Sequence, residues 1–357
     1  MRGSAEQIDP SAEVQMVDLF AGPGGLDVAA RWLGVAAVGI EWDANACATR
    51  RAAGIRTKHA DVRDFGPKDF PAATILTGGP PCQTYTVAGS GAGRRALDRV
   101  LAFVKKMAAG ESIGLHELDD ERTGLVLEPL RWALEAHALQ RPYEAIVLEQ
   151  VPAVLPVWAG IAEALEGIGY KASYGVLHTE EYGVPQTRRR AILIARRDEK
   201  PELPAPTHRR FRRGVERLAG DPDLLPWETM GGALKRSGGF TVISNYGTGG
   251  DPKLRGRRTS VEPAATVTGK VSRNRLVSSD GAELDRFTLS EAGRLQTFPA
   301  DYPWSGKDVS QQIGNAIPPL LAAHVLAAAL LRDVEQAALR AFVDQNWFSV
   351  KDSVVIS

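Results

Sequence analysis

The most reactive candidate in this chain is a thiol. Cys82 stands in Gly78-Gly-Pro-Pro-Cys-Gln83, directly after the apolar run Ala73–Leu76. A Pro/Gly turn at the carboxyl end of a strand holds a side chain rigidly and leaves it partly exposed. Those are the conditions for a nucleophilic sulfur. The other cysteine, Cys47, falls in a helical stretch and reads as packing. No His-Asp pair lies near Cys82 in sequence, so a protease-like triad is not indicated. Two cysteines and scattered histidines make no zinc site, and no metal is expected.

Two further blocks place an acid and a pair of bases. Glu149, in Val147-Leu-Glu-Gln-Val151, closes the apolar run Ala145–Leu148. A carboxylate at the end of a buried strand is costly unless an arginine pairs with it or chemistry uses it. Gln186-Thr-Arg188-Arg189-Arg190 runs straight into the apolar Ala191–Ala195. Alternation along an extended chain puts Arg188 and Arg190 on one face. Two guanidinium groups there could hold a phosphate, a carboxylate or a carbonyl oxygen.

The remaining blocks suit a nucleoside. Asp18-Leu-Phe-Ala-Gly-Pro-Gly-Gly25 reads as a strand, a glycine turn and the start of a helix. Glycines let the backbone turn sharply and approach a ligand. Glu41 closes the next apolar run, 16 residues past Gly25, and could accept from both hydroxyls of a ribose. The spacing is G-x-G-G, not G-x-G-x-x-G, so a dinucleotide is not the first choice, and a purely structural turn stays open. Trp42 could cover an adenine face or fill the core. Asp61 could accept from an adenine amine or sit solvated in a loop. In Gln312-Ile-Gly-Asn-Ala-Ile-Pro-Pro319, Asn315 can donate and accept at a ligand, or the turn simply opens a helix.

Positioning these blocks needs a scaffold. Apolar runs without polar alternation occur at Val14–Phe20, Val35–Ile40, Ala73–Leu76, Ala145–Leu148 and Ala191–Ala195. Helical patterns separate them, at Leu26–Leu33 and at Ala153–Ile168, where Gly169 is a plausible stop. That order predicts an α/β fold with a doubly wound, mostly parallel sheet covered on both faces. In such a sheet ligands bind at the carboxyl ends of the strands. Past Arg196 the chain turns rich in Pro, Gly and Arg, with short β-like pieces at Phe240–Ser244 and Ala265–Thr268, and from Val309 it returns to helix. We expect a catalytic unit over 1–196 and 309–345, and a smaller irregular one over 197–308.

Composition bounds the function. With 357 residues, 44% hydrophobic and 24% charged, the chain is neither disordered nor a disulfide scaffold. It holds no long apolar run, and neither a membrane span nor a secretory leader is expected, so a cytoplasmic protein is expected. Net charge is zero, but Gln186–Arg258 holds 17 Lys and Arg against 8 Asp and Glu. That surplus reads as a nucleic-acid surface or as a well-solvated face.

Taken in order, the blocks resemble the DNA (cytosine-5)-methyltransferase family. DLFAGPGG is similar to its first motif, GIEWD and HADVRDF to the next two, and GGPPCQ to its catalytic motif. LEQV resembles the glutamate motif, QTRRR the Q-x-R-x-R motif and QQIGNAIPP the last one; EPAATVTG and LSEAGRLQTFPADY resemble the approach to it. The resemblance runs from about residue 14 to 330. It implies S-adenosyl-L-methionine as methyl donor, S-adenosyl-L-homocysteine as product and a cytosine flipped out of duplex DNA as substrate. Cys82 would add to C6, Glu149 would bond N3 and the exocyclic amine, and Arg190 would contact O2 and orient Glu149. Arg188 would help hold the catalytic loop or a phosphate. Phe20, Gly22, Gly24, Gly25 and Leu26 would surround the donor's methionine and ribose. Glu41 would take the ribose, Trp42 the adenine face and Asp61 its amine. Pro80, Leu125, Asn315 and Ala316 would complete the wall.

The glycine-rich loop from Cys82 through Gly89-Ser-Gly-Ala-Gly-Arg94-Arg95 would close over the base. Arg209, Arg210, Arg212, Arg213, Lys253, Arg255, Arg257 and Arg258 would mostly contact phosphates. A monomer is expected, and a cognate restriction endonuclease is a partner such enzymes can have. An RNA methyltransferase of the same fold and an inactive DNA-binding regulator are the rival readings. The chain departs from the family pattern at Gln150, where Asn is usual, and at Thr84-Tyr85-Thr86. The stretch 94–123 has no assigned role.

Overall fold

The computed structural model describes residues 13–81, 91–111, 124–245 and 255–349, with the backbone alone for 91–96. One sheet holds seven strands: β1 (Met16–Leu19), β2 (Ala37–Glu41), β3 (Thr57–His59), β4 (Ile75–Gly78), β5 (Ala145–Gln150), β6 (Lys171–His178) and β7 (Arg189–Arg196). The five apolar runs become β1, β2, β4, β5 and β7, while β3 and β6 arise outside them. Their order is β3-β2-β1-β4-β5-β7-β6. The first five run parallel, and β7 lies antiparallel between β5 and β6. Strands buried on both faces need no polar alternation, and β1 and β4 have none.

Helices cover both faces, as the doubly wound reading predicts. One face packs against α1 (Gly25–Trp32) through residues such as Val28 and Trp32, and against late helices through Leu321, Val325 and Leu339. The other packs against α3 (Gly91–Ala108), α4 (Glu128–Ala138) and α5 (Leu155–Gly167), through Val100, Leu130, Trp132, Trp158 and Ile161. Between β2 and β3 lies α2 (Ala44–Ala52), which buries Cys47 as packing. Gly169, at φ 90°, follows α5 in a conformation that only glycine adopts cheaply.

A second, antiparallel sheet has the order β11-β10-β8-β9, built from β8 (Phe240–Ile243), β9 (Arg257–Thr259), β10 (Arg275–Ser278) and β11 (Glu283–Leu284). With α6 (Met230–Leu234) and α7 (Leu289–Leu295) it encloses its own core of Met230, Phe240, Leu276, Phe287 and Leu295. Phe298, Tyr302 and Trp304, late in this stretch, pack on the large sheet's core instead, and Trp304 touches both cores.

Three local expectations are corrected. Ala265–Thr268 forms no strand, because side chains satisfy its backbone: Val267 donates to Gln186 Oε1 (2.7 Å) and accepts from Arg188 Nη1 (3.0 Å). The helical tail is two helices, α8 (Val309–Asn315) and α9 (Pro319–Ala329), before α10 (Gln336–Asp344). Proline's ring and missing N–H stop the first at Pro318, while Pro319 suits the first turn of the second. The glycine-rich stretch from Gly91 to Arg95 begins α3 and is not loop; Cys82 to Ser90 lie outside the described residues. Val309–Ala329 has the length and apolarity of a membrane span, but its most apolar part is buried inside the protein.

Candidate active site

The carboxyl ends of β1 and β2 build a cradle. Phe20 leaves β1 with φ 59°, a conformation uncommon outside glycine and held here by its surroundings. The backbone then folds back so that Gly22 N–H donates to Glu41 Oε2 at 2.7 Å, and Asp43 N–H donates to Oε1 at 2.7 Å. Glu41 is thereby fixed, half-buried, at the end of β2. Trp42 is 71% exposed, so it is no core residue. Gly24, at φ 106°, opens α1 without a side-chain cap, which leaves first-turn N–H groups without a capping side chain. At Gly25 a Cβ would stand 2.3 Å from the carbonyl oxygen of Ile317. That contact presses the turn after α8 against the glycine loop. Leu26 and Ala316 are buried, while Asn315 is exposed and accepts from Gln311 Nε2 at 2.7 Å. Asn315 ends α8 and does not open a helix.

Behind the cradle is a charged network that sequence reading did not identify. Arg50 binds both oxygens of Asp27 (2.7 and 2.8 Å) and donates to the carbonyls of Ala21 (3.3 Å) and Arg56 (3.1 Å). Both side chains are buried, and the guanidinium is compensated by the carboxylate and these carbonyls. Asp18, also buried, accepts from Thr77 Oγ1 at 2.7 Å across the β1–β4 pairing. Burial first, and the Asp27 charge second, push its carboxyl up to about 8. Asp61 caps a short 3-10 turn, and both of its oxygens face Arg63, the nearest contact being 2.7 Å. The Arg63 hydrogen bonds hold that carboxyl below its usual range. It is neither bare nor simply solvated.

The ends of β4, β5 and β7 meet beside the cradle. Gly79 N–H donates to Leu19 O at 3.2 Å, joining the GGPP turn to the end of β1. Pro80 is buried, and its carbonyl accepts from Gln150 Nε2. Glu149, also buried, has Oε1 2.5 Å from Arg190 Nε, a charge contact whose N–H is not aimed along the bond. Arg190 Nη1 donates to Arg189 O at 2.7 Å. The partner arginine expected for Glu149 is therefore Arg190.

Arg188 does something else. It is buried and donates to the carbonyls of Val267, Gly314 (2.9 Å) and Ala316 (3.3 Å). Burial and the neighbouring Arg190 lower its pKa well below the ordinary value. Of the oxygens that sequence offered it, carbonyls are the ones found, and it ties the QTRRR strand to the turn that touches Gly25. Leu125 is half-buried at the head of the segment leading into α4.

The structure thus brings Phe20–Leu26, Glu41, Gly79-Pro80, Glu149, Arg190 and Ala316 to one edge of the sheet. Cys82 belongs to the same turn in sequence but lies outside the described residues. Among the described residues no cluster of His, Cys, Asp and Glu could hold a metal. In the basic segment, several arginines have partners within the protein. Arg258 lies 4.4 Å over the Phe211 ring and 3.7 Å from Glu262, and Arg209 donates to Asp221 O. Lys253 lies outside the described residues.

Comparison with known proteins fits this geometry. The family model of C-5 cytosine-specific DNA methylases matches residues 14–216 and 227–330. The chain is 28% identical over 283 residues to the Type II methyltransferase M1.HphI of Haemophilus parahaemolyticus, covering 72% of this chain and 68% of that one. It is 27% identical over 329 residues to M.AplI of Arthrospira platensis, covering 88% and 85%. Against M.BspRI of Lysinibacillus sphaericus it is 26% identical but spans only 62% of that protein. Solved structures share the fold: Entamoeba histolytica EhMeth (TM-score 0.58, 15% identity, 90% of this chain and 100% of that one) and S. pombe Dnmt2 methyltransferase (0.57, 17%, 89% and 98%). The chain belongs to the C-5 cytosine-specific DNA methylase family and is a methyltransferase enzyme of that family.

Proposed function

We propose that the protein methylates carbon 5 of a cytosine flipped out of duplex DNA, with S-adenosyl-L-methionine as donor and a transient bond between Cys82 and C6. The observation that carries the reading is the convergence of Glu149, paired with Arg190, on a Pro80 turn joined directly to the glycine cradle. The donor fits that cradle: nothing lies within 4 Å of where a Cβ on Gly22 would stand, α1 opens uncapped, and Trp42 stands exposed beside Glu41.

When bound, the donor supplies an electrophilic methyl group. The chain's own residues do the rest. Glu41 holds the ribose hydroxyls, and the first-turn N–H groups of α1 suit a carboxylate. Cys82, as thiolate, adds to C6 while Glu149 bonds N3 and the exocyclic amine, so that C5 becomes nucleophilic. Arg190 steadies Glu149 and meets O2. After C5 is methylated, loss of its proton to a base restores the ring and expels the thiolate. Dividing the substitution this way replaces one prohibitive barrier with smaller ones. The catalytic unit at 1–196 and 309–345 would hold the chemistry and 197–308 the target sequence, in the reducing cytoplasm and as a monomer. Relatives named as Type II methyltransferases support a place in a restriction–modification pair, whose endonuclease would be the cognate partner.

The test is a labelled-methyl transfer assay with duplex DNA and with tRNA, alongside denaturing electrophoresis with duplex carrying 5-fluorocytosine. Wild type should label duplex DNA and form a denaturant-stable adduct, whereas Cys82→Ala should do neither. Full turnover by Cys82→Ala, or labelling of tRNA alone, would overturn the reading.

A further inference from the structure

The segment between β7 and α6 contains a preformed projection. Every residue from 212 to 223 is exposed. Its neck is nonetheless well built. Phe211 packs edge-on against buried Trp227 at 5.3 Å, and Arg258 covers the other side of Phe211. Backbone bonds join Arg209 N–H to Leu225 O (2.7 Å) and Leu225 N–H to Thr207 O (3.0 Å). Arg209 Nε reaches Asp221 O at 2.7 Å and Arg217 Nε reaches Trp227 O at 2.8 Å, lacing the loop to its own base. Such lacing lowers the entropy that the loop would lose on binding.

The exposed end is chemically unusual. Leu218 is 73% exposed and Val215 43%. They stand among Arg212, Arg213 and Arg217, and among the described residues neither Arg212 nor Arg213 forms an ion pair. An exposed apolar pair costs free energy in water unless something covers it. The same loop holds Glu216, Asp221 and Asp223, yet none of them pairs with Arg212 or Arg213. A partner that covers leucine while accepting these two guanidinium groups is a polyanion with an apolar interior, which describes duplex DNA: phosphates outside, stacked bases within. The loop is also rooted near the candidate site. Thr207 and His208 N–H both donate to Glu181 O at 2.9 Å, and three residues before Glu181, His178 pairs in register with Arg189, beside Arg190.

We propose that the 212–223 loop enters the target duplex, with Leu218 wedged between base pairs and Arg212 and Arg213 on the flanking phosphates. The inference rests on the DNA reading above and deepens it. A wedge of this kind unstacks a base step and so lowers the cost of extruding a neighbouring base.

The test uses the full chain and a labelled duplex bearing the site mapped by bisulfite sequencing of DNA methylated by the wild type. Leu218→Ser should weaken binding about tenfold at every salt concentration, because burial of an apolar side chain is insensitive to salt. Its slope of log affinity against log salt should equal the wild type's, and Leu218→Met should bind as wild type does. Arg213→Ala should instead flatten that slope by about one phosphate contact. Wild-type affinity in Leu218→Ser, or a changed oligomeric state in place of weaker binding, overturns the wedge and leaves the enzyme reading intact. A wild type that neither methylates nor binds duplex DNA removes both.

Discussion

Gln150 reaches across from the end of β5 to hold Pro80: its Nε2 donates to the Pro80 carbonyl while its Oε1 accepts from Val151 N–H at 2.6 Å. The amide bridges the strand that carries Glu149 and the turn that leads to Cys82, two residues after Pro80. The longer side chain at this position, where the family pattern has Asn, is accommodated by a bond to a backbone carbonyl.

That bridge can be cut without touching Cys82 or Glu149, the two groups proposed to act on the base. Gln150→Ala removes it, and displacement of a nucleophile by a fraction of an ångström to one ångström costs about 10- to 100-fold in rate. We expect kcat to fall by that factor with little change in the KM for the methyl donor, since the glycine cradle is untouched. Gln150→Glu keeps the shape but cannot donate to the Pro80 carbonyl, so it should fall at least as far. Steady-state kinetics on both variants check this, and wild-type kcat in Gln150→Glu would rule out the bridge.

Arg188 offers a stability test. Its guanidinium is costly to bury, but it serves three carbonyls, two of them buried with it. Removing it strands those oxygens, each at about 1–3 kcal/mol, softened where water enters the gap. We expect Arg188→Ala to lose about 2–4 kcal/mol in urea unfolding at unchanged m-value. Because the Gly314–Ala316 turn touches Gly25 through Ile317, the variant should also bind the methyl donor more weakly. An unfolding midpoint equal to wild type's would show that the clamp is dispensable.

How much of this could be read beforehand follows from what sequence encodes locally. The apolar runs that became β1, β4, β5 and β7 were legible because strands covered on both faces repeat one residue class without interruption. β6 was not, since it is the sheet's edge strand and its burial changes from residue to residue, from exposed Lys171 to buried Ala172 to exposed Tyr174. Glu149 and the pair Arg188 and Arg190 could be singled out by type and spacing, but which arginine met the carboxylate depended on the side-chain reach across β5 and β7. Arg188 finds its carbonyls 79 to 128 residues away, and Gln150 finds Pro80 at a separation of 70. Nothing local marks such partners. The Asp27–Arg50 pair, 23 residues apart, carries no local mark in the sequence, and only packing makes it a buried network.

Asp18 turns that buried network into a pH dependence. Its folded carboxyl is raised to about 8, chiefly by burial and then by the Asp27 charge. An unfolded aspartate titrates near about 3.9. Between those values the folded state holds a proton that the unfolded state has released, so stability falls as pH rises through the window. The contribution is fully present below about pH 4 and lost once pH passes about 8. Asp18→Asn replaces the acid with a permanently neutral group that can still accept from Thr77 Oγ1. Its Tm should therefore decline less than the wild type's between pH 5 and 9. Thermal unfolding of both proteins across that range measures the difference. Parallel Tm curves would mean that Asp18 is ionised in the fold, with Arg50 balancing Asp18 and Asp27 together.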